Sequence, residues 1–168
     1  MDGATRPQDP GSGLGAGVLE FPAEWVVEPG SRQIEIRDAA DPEQCTCVLA
    51  VSFLRLPPRD WSDLPLSRLL LEAADGDDRE RIATDPPVES ERDDLELVWT
   101  ELRVVDPGER RESRSRLCLA RGRGLQCLFT FDLWPEDAER LTPVWEGVLR
   151  SLRLDLKLED PARGRRLE

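Results

Sequence analysis

RESRSRLCLARGRGLQCLFTFDLWPEDAERLTPVWEGVLRSLRL, residues 111–154, contains two strands, a tight turn and a closing helix. Arg121-Gly122-Arg123-Gly124 separates two apolar runs, which is the local signal of a β-hairpin. Centring the turn on Gly122-Arg123 sets Ala120 opposite Leu125, Cys118 opposite Cys127 and Arg116 opposite Phe129. Side chains alternate along a strand, so Leu125, Cys127, Phe129, Phe131 and Leu133 share one face. Leu117 and Leu128 meet on the other. Both faces are partly apolar, which predicts an interior strand covered on each side. After Trp134-Pro135 the period changes. Ala138, Leu141, Trp145, Val148, Leu149 and Leu152 recur at steps of three and four, one face of a helix. Pro143 cannot donate an interior helical hydrogen bond. Either it kinks this helix, or a new helix begins there with Thr142 as N-cap and Pro143 at the first position; the second reading is preferred.

Upstream, Leu95 to Val105 (LELVWTELRVV) reads as a long strand, joined to the hairpin by a turn with Pro107 at its second position. Cys45 to Leu56 (CTCVLAVSFLRL) reads as another central strand, with Cys47, Leu49, Val51 and Phe53 on one face. Pro57-Pro58 ends it. Asp60 to Asp63 supplies N-cap candidates, and Leu66, Leu69, Leu70 and Ala73 form a helical stripe that Asp75-Gly76 stops. Arg79 to Glu91 is polar and reads as a surface crossing. Short strands are expected near Val18 to Val27 and over Gln33 to Arg37. Residues 1–17 read as a disordered tail, 18–158 as one domain, and 159–168 as a charged tail. The fold class is α+β: an antiparallel sheet of about six strands flanked by helices.

The chain has 168 residues, enough for one domain with a full core. Its formal net charge of -12 disfavours nucleic acid and anionic membrane surfaces as partners. No apolar run approaches the roughly 20 residues needed to span a bilayer. MDGATRPQDPGSG, at the start, lacks the basic and apolar regions of a secretory signal. A cytoplasmic location is expected, with the four cysteines reduced. Histidine is absent, which removes the usual general base near neutral pH and the commonest metal ligand.

Phe21-Pro22-x-x-Trp25, the short strands after it, the helix following a strand that ends in proline, and the closing Val148-Leu149-Arg150-Ser151-Leu152-Arg153-Leu154 form a pattern. It resembles the PsbP-like, or Mog-like, α/β/α sandwich superfamily. The bacterial branches of that superfamily include DcrB-type proteins and the Eag-type adaptor chaperones of type VI secretion. The likeness covers about Val18 to Leu154 and implies a mostly non-enzymatic protein that works through protein–protein contacts.

Several residue groups bear chemistry. Cys45 and Cys47 share a strand face, and Cys118 faces Cys127 in the expected register, yet the spacing is not that of a zinc knuckle. Buried free thiols are the simpler reading. Asp75, Asp77 and Asp78 do not continue into a calcium loop. Carboxylates are abundant, but nothing in the sequence pairs two of them in a cleft. Arg110, Arg111, Arg114, Arg116, Arg121 and Arg123 concentrate positive charge in an acidic chain. They form either a docking strip for an acidic partner or a set of stems covering one sheet face, balanced by Glu109 and Glu112. Trp61 and Trp134, at element ends, are candidate interface anchors.

These readings favour a non-catalytic protein-binding domain: a bacterial cytoplasmic adaptor or chaperone, linked to secretion, with Trp61, Trp134, Arg114, Arg116, Arg121 and Arg123 as partner-binding residues. The expected partner is another protein, a second copy included, with no nucleic acid, membrane, metal or cofactor. The alternatives are an immunity protein neutralising a cognate toxin and, further off, an enzyme using carboxylates.

Overall fold

The computed structural model describes residues 4–5, 16–57, 59–92, 95–158 and 166–167. Its strands are β1 (Ala4–Thr5), β2 (Ala16–Val18), β3 (Glu20–Phe21), β4 (Val26–Pro29), β5 (Ile34–Arg37) and β6 (Cys47–Arg55), then β7 (Arg81–Thr84), β8 (Val88–Arg92), β9 (Leu95–Val105), β10 (Glu112–Arg121), β11 (Leu125–Leu133), β12 (Arg153–Leu158) and β13 (Arg166–Leu167). Helix α1 (Leu66–Asp75) lies between β6 and β7, and α2 (Ala138–Ser151) follows β11.

The main sheet has eight strands in the order β4-β5-β6-β11-β10-β9-β7, with β8 also on β9. Every pairing is antiparallel. Both β7 and β8 lie on the same side of β9, so they form one edge strand interrupted at Pro86-Pro87. The stretch expected to cross the surface is therefore sheet edge. Prolines cannot donate to a ladder and are tolerated at an edge.

Alternation along the strands builds two cores. Leu49, Val51, Cys118, Phe129 and Phe131 face α2, whose Leu141, Trp145 and Val148 are buried against them together with Leu19, Phe21 and Trp25 from the N-terminal segment. Trp145 stacks on Phe131 with ring centroids 5.7 Å apart. On the opposite face, α1 buries Leu66, Leu70 and Ala74 against Val98, Leu102, Val104, Leu117 and Leu119. The fold is α+β, one helix on each face of an antiparallel sheet, and the two faces of the hairpin are those read from the sequence.

The hairpin register differs from the expectation by two residues. Cys118 pairs with Phe129 and Ala120 with Cys127. The turn is centred on Arg123-Gly124: the Gly122 N–H donates to Leu125 O at 2.8 Å, and the Gly124 carbonyl accepts from Leu56 N–H at 2.9 Å. Both glycine placements satisfy a tight turn, and the neighbouring β6 selects one. A shift of two keeps the parity, so every side chain stays on its expected face.

Pro143 lies inside α2, on its exposed side, and starts no new helix. The bond it cannot make belongs to the solvent side, while Leu141 and Trp145 hold the buried side helical. The Thr142 hydroxyl bonds back to Ala138 O at 2.7 Å instead of capping. The helix ends at Ser151, earlier than expected, and Leu154 belongs to β12, which pairs with β2. Arg92 secures that end from the sheet edge, donating to Arg150 O at 2.6 Å and to Leu149 O and Leu152 O at 3.0 Å each. A cation there also suits the negative end of the helix dipole. At α1, Asp60 caps a preceding turn through Ser62 N–H, and the helix starts after Pro65 with no side-chain cap. Within the expected tails, β1, β2 and β13 are strands; the rest of those tails lies outside the described residues. Gly17 in β2 crosses the Phe53 ring so closely that a Cβ there would lie 2.5 Å from it.

The β5–β6 connection is tied by Asp38, which accepts from the Thr46 N–H at 2.8 Å, the Cys47 N–H at 3.3 Å and the Thr46 hydroxyl. Burial pushes its carboxyl up, but these hydrogen bonds outweigh burial and hold its pKa below the usual value.

Two outcomes follow from this packing. Trp145→Ala should cost about 3–5 kcal/mol, whereas Leu149→Ala, at a half-buried position, should cost clearly less. Urea denaturation midpoints check the ranking, and equal shifts would mean that α2 does not seat its Trp145 face in the core. Asp38 is depressed in the folded state, so its stabilisation is present above the unfolded pKa of about 4 and is lost as pH falls through the lower folded value. Asp38→Asn should therefore lower stability at neutral pH and flatten the acid limb below about pH 4. An acid limb identical to that of the parent protein would show that Asp38 is not coupled to folding.

Candidate functional site

Alternation on β10 and its register with β9 divide the expected arginine strip. Arg114 and Arg116 point toward α2, and Arg121 points to the α1 face. Arg116 is 5 % exposed. It lies directly opposite Glu101 on β9, donates to that carboxylate at 2.8 Å and reaches the Thr142 hydroxyl of α2 at 2.9 Å. Arg114 flanks the same carboxylate at 3.6 Å. Arg116 thus ties the sheet to α2, and Arg114, partly exposed, pairs within the sheet. Their partner is Glu101, not Glu109 or Glu112.

Arg121 repeats the arrangement at the other end of β10. It is opposite Glu96, donates to it at 2.9 Å and 3.2 Å, and reaches Leu64 O at 2.8 Å, fixing the loop that leads into α1. Opposite charges directly across a ladder reinforce its register.

Trp61 and Trp134 sit at opposite ends of the sheet. Trp134 follows β11 and carries the Arg111 guanidinium 3.8 Å from its ring; Arg111 also binds Glu136 at 2.7 Å and holds that carboxyl below its usual pKa. Trp61 follows β6, with Arg59 stacked at 4.2 Å and its indole N–H on Pro57 O at 3.3 Å. The nine residues of β11 place about 27 Å between the two ends, so the two rings belong to separate surfaces.

Trp61, Arg121 and Arg123 do come together. The β6–α1 loop, the hairpin turn and the β8–β9 end enclose a groove of about 450 Å³ lined by Trp61, Arg59, Arg121, Arg123, Glu91 and Glu96. A groove of about 490 Å³ adjoins it, sharing Ser62, Glu91, Glu96 and Arg121 and running between the start of α1 and β8 past Glu89 and Ser90. The adjoining grooves form the candidate site. Its cations are committed internally: Arg59 binds Asp63 at 2.7 Å and Arg121 binds Glu96 at 2.9 Å. Asp60 is held ionised, its pKa lowered by hydrogen bonds from Ser62. Sequence reading missed Glu89, Glu91 and Glu96. For Glu89 and Glu91 the signal was the alternation within Val88–Arg92, obscured by the prolines before it.

The four cysteines are free thiols. Burial raises the pKa of each, Cys45 included, which leaves them poor nucleophiles. Asp77 is committed to Arg79 at 2.6 Å, and among the described residues no three His, Cys, Asp or Glu are grouped to hold a metal ion. A gap of about 20 Å³ beside Phe21, Ile34 and Phe53 has room for about one water and is a packing gap. No helix among the described residues is long and apolar enough to cross a membrane.

Breaking the inner pair should be costly. Arg116→Met should lose about 3–5 kcal/mol because the nearly buried Glu101 keeps only its longer contact with Arg114. Adding Glu101→Gln should return part of that loss, and a double variant with a strictly additive cost would show that the two side chains are not coupled.

Comparison with known proteins places this architecture. The Alr1449 family model matches residues 12–158. The uncharacterized protein alr1449 of Nostoc sp. (strain PCC 7120) is 39% identical over 151 residues, spanning 89% of this chain and 78% of that protein. The chain belongs to the Alr1449 family. Among solved structures it is similar to cyanobacterial PsbP (CyanoP) of Synechocystis sp. PCC 6803, with TM-score 0.57, 15% identity and coverage of 88% of this chain and 96% of that one. LpqN, involved in cell envelope biogenesis of Mycobacterium tuberculosis, superposes with TM-score 0.58 at 13% identity, covering 92% of each chain. At such identities the likeness is one of fold, and the fold is PsbP-like.

Proposed function

We propose that this member of the Alr1449 family is a non-catalytic protein-binding module that works as a bacterial cytoplasmic adaptor or chaperone in the manner of the Eag-type branch, with its partner seated at the groove around Trp61 and Arg121. The observation that carries this reading is the groove itself. Three connections converge on an open surface that joins a flat aromatic ring to charged and hydroxyl groups, the mixture that suits a protein partner. The chain has no histidine, and the Asp60 carboxyl on the lining is held ionised by hydrogen bonds from Ser62. A cytoplasmic adaptor is also consistent with four reduced thiols.

An immunity protein is the second reading, favoured by the β8 carboxylates Glu89 and Glu91 beside the groove, which have no ion pair among the described residues. It differs in outcome: its partner would be a toxin whose activity the protein abolishes.

Affinity capture from the native host with the parent protein and with Trp61→Ala tests the proposal. Trp61 is half-buried in the β6–α1 loop, so the variant should remain folded. A specific protein recovered with the parent and depleted about tenfold with the variant is the expected result. Equal recovery would move the binding surface elsewhere, and turnover in an activity screen that is lost on removing Glu91 or Glu96 would replace the module with an enzyme.

A further inference from the structure

Strand β8 pairs with β9 on one side, and among the described residues nothing pairs with its other side. An unpaired edge leaves a row of N–H and C=O groups able to take another strand. The side chains of β8 sort by register. Glu89 and Glu91 lie opposite Val98 and Glu96, on the α1 face, where both line the 490 Å³ groove. Val88, 49% exposed, lies opposite Trp99 on the α2 face.

Charge bookkeeping at this edge is one-sided. Arg59 and Arg121 are already engaged with Asp63 and Glu96. Glu89 and Glu91 are exposed, and their carboxylates have no ion pair among the described residues. Two positions apart on a strand, they stand about 7 Å from each other on the same face. Ser62, Ser67 and Pro65 form the facing wall at the start of α1.

Resting on the protein-binding reading above, we propose that β8 receives an extended basic segment of a partner protein, added as one more strand. Lysines or arginines at alternate positions pair with Glu89 and Glu91 in the groove, and the intervening apolar residues lie beside Val88. Main-chain hydrogen bonds hold the segment, and the charge pattern selects it. A second copy of this chain is a poor occupant, because two β8 edges side by side set Glu89 and Glu91 against their own kind. Pro86-Pro87 interrupts the ladder upstream, so the segment is about as short as the five residues of β8.

The test uses the full-length protein and a short fluorescent peptide of alternating lysine and valine, with three comparison peptides: glutamate in place of lysine, the same composition with the lysines clustered, and backbone N-methylation at alternate residues. Binding is read by anisotropy. The alternating peptide should bind, the glutamate and clustered peptides should not, and N-methylation should weaken binding about tenfold or more. The double charge reversal Glu89→Lys with Glu91→Lys should weaken it to a similar degree, with an unchanged thermal midpoint as the folding control. Binding insensitive to N-methylation overturns strand addition, and binding insensitive to charge reversal overturns the basic specificity. If Trp61→Ala loses a host partner that the double charge-reversal variant retains, the module reading stands and the basic strand falls. If both variants retain it, both fall.

Discussion

Strand β10 has no solvent side. From Ser115 to Arg121 every residue is buried, including two arginines. A strand in that position needs a covering layer on each face, and its charges need partners supplied by neighbouring strands, because an unpaired buried guanidinium is far too costly. The helices meet the first need and β9 the second. Its register sets Glu101 opposite Arg116 and Glu96 opposite Arg121. Sliding β9 by one pair would separate both ion pairs and turn Val98, Leu102 and Val104 off the α1 core.

The same requirement explains the site. Arg116 sits at the middle of the sheet, under α2, and is sealed against Glu101 and Thr142. Arg121 sits where β10 leaves the sandwich, and its Glu96 partner has a half-exposed side chain. One pairing rule thus yields a structural lock inside and a groove floor at the end. The groove exists because the helices stop covering the sheet there, and three connections close around Arg121. At β8 the sheet ends, among the described residues, with an unpaired backbone edge and with Glu89 and Glu91 outside any ion pair.

Much of the fold was legible because it depends on local periodicity. Steps of two over 95–105 and 125–133, and steps of three and four over 138–149, gave the long strands and α2 with their inward faces. Features that needed a neighbour were not legible. The turn could be centred on either glycine pair until Leu56 claimed the Gly124 carbonyl. Pro143 read as a helix start because the sequence does not show that its own side of α2 faces water. Residues 79–91 read as a surface crossing because an edge strand buries little, and burial is what writes a hydrophobic pattern into a strand.

The candidate site was legible only in pieces. Trp61, Arg121 and Arg123 were singled out for their residue types, but so were Trp134, Arg114 and Arg116, and residue type alone does not separate the two groups. By itself, the sequence determined the α+β class, the inward faces of the long elements, the acidic surface and the absence of histidine chemistry. These follow from alternation, composition and chain-local sterics. The tertiary structure alone decided which arginines are sealed and which reach a groove and, among the described residues, which carboxylates lack an ion pair and which edge lacks a neighbour. Those depend on pairings between residues 15 and 25 positions apart, and the energy of a charge is set by the partners and solvent that the fold brings to it.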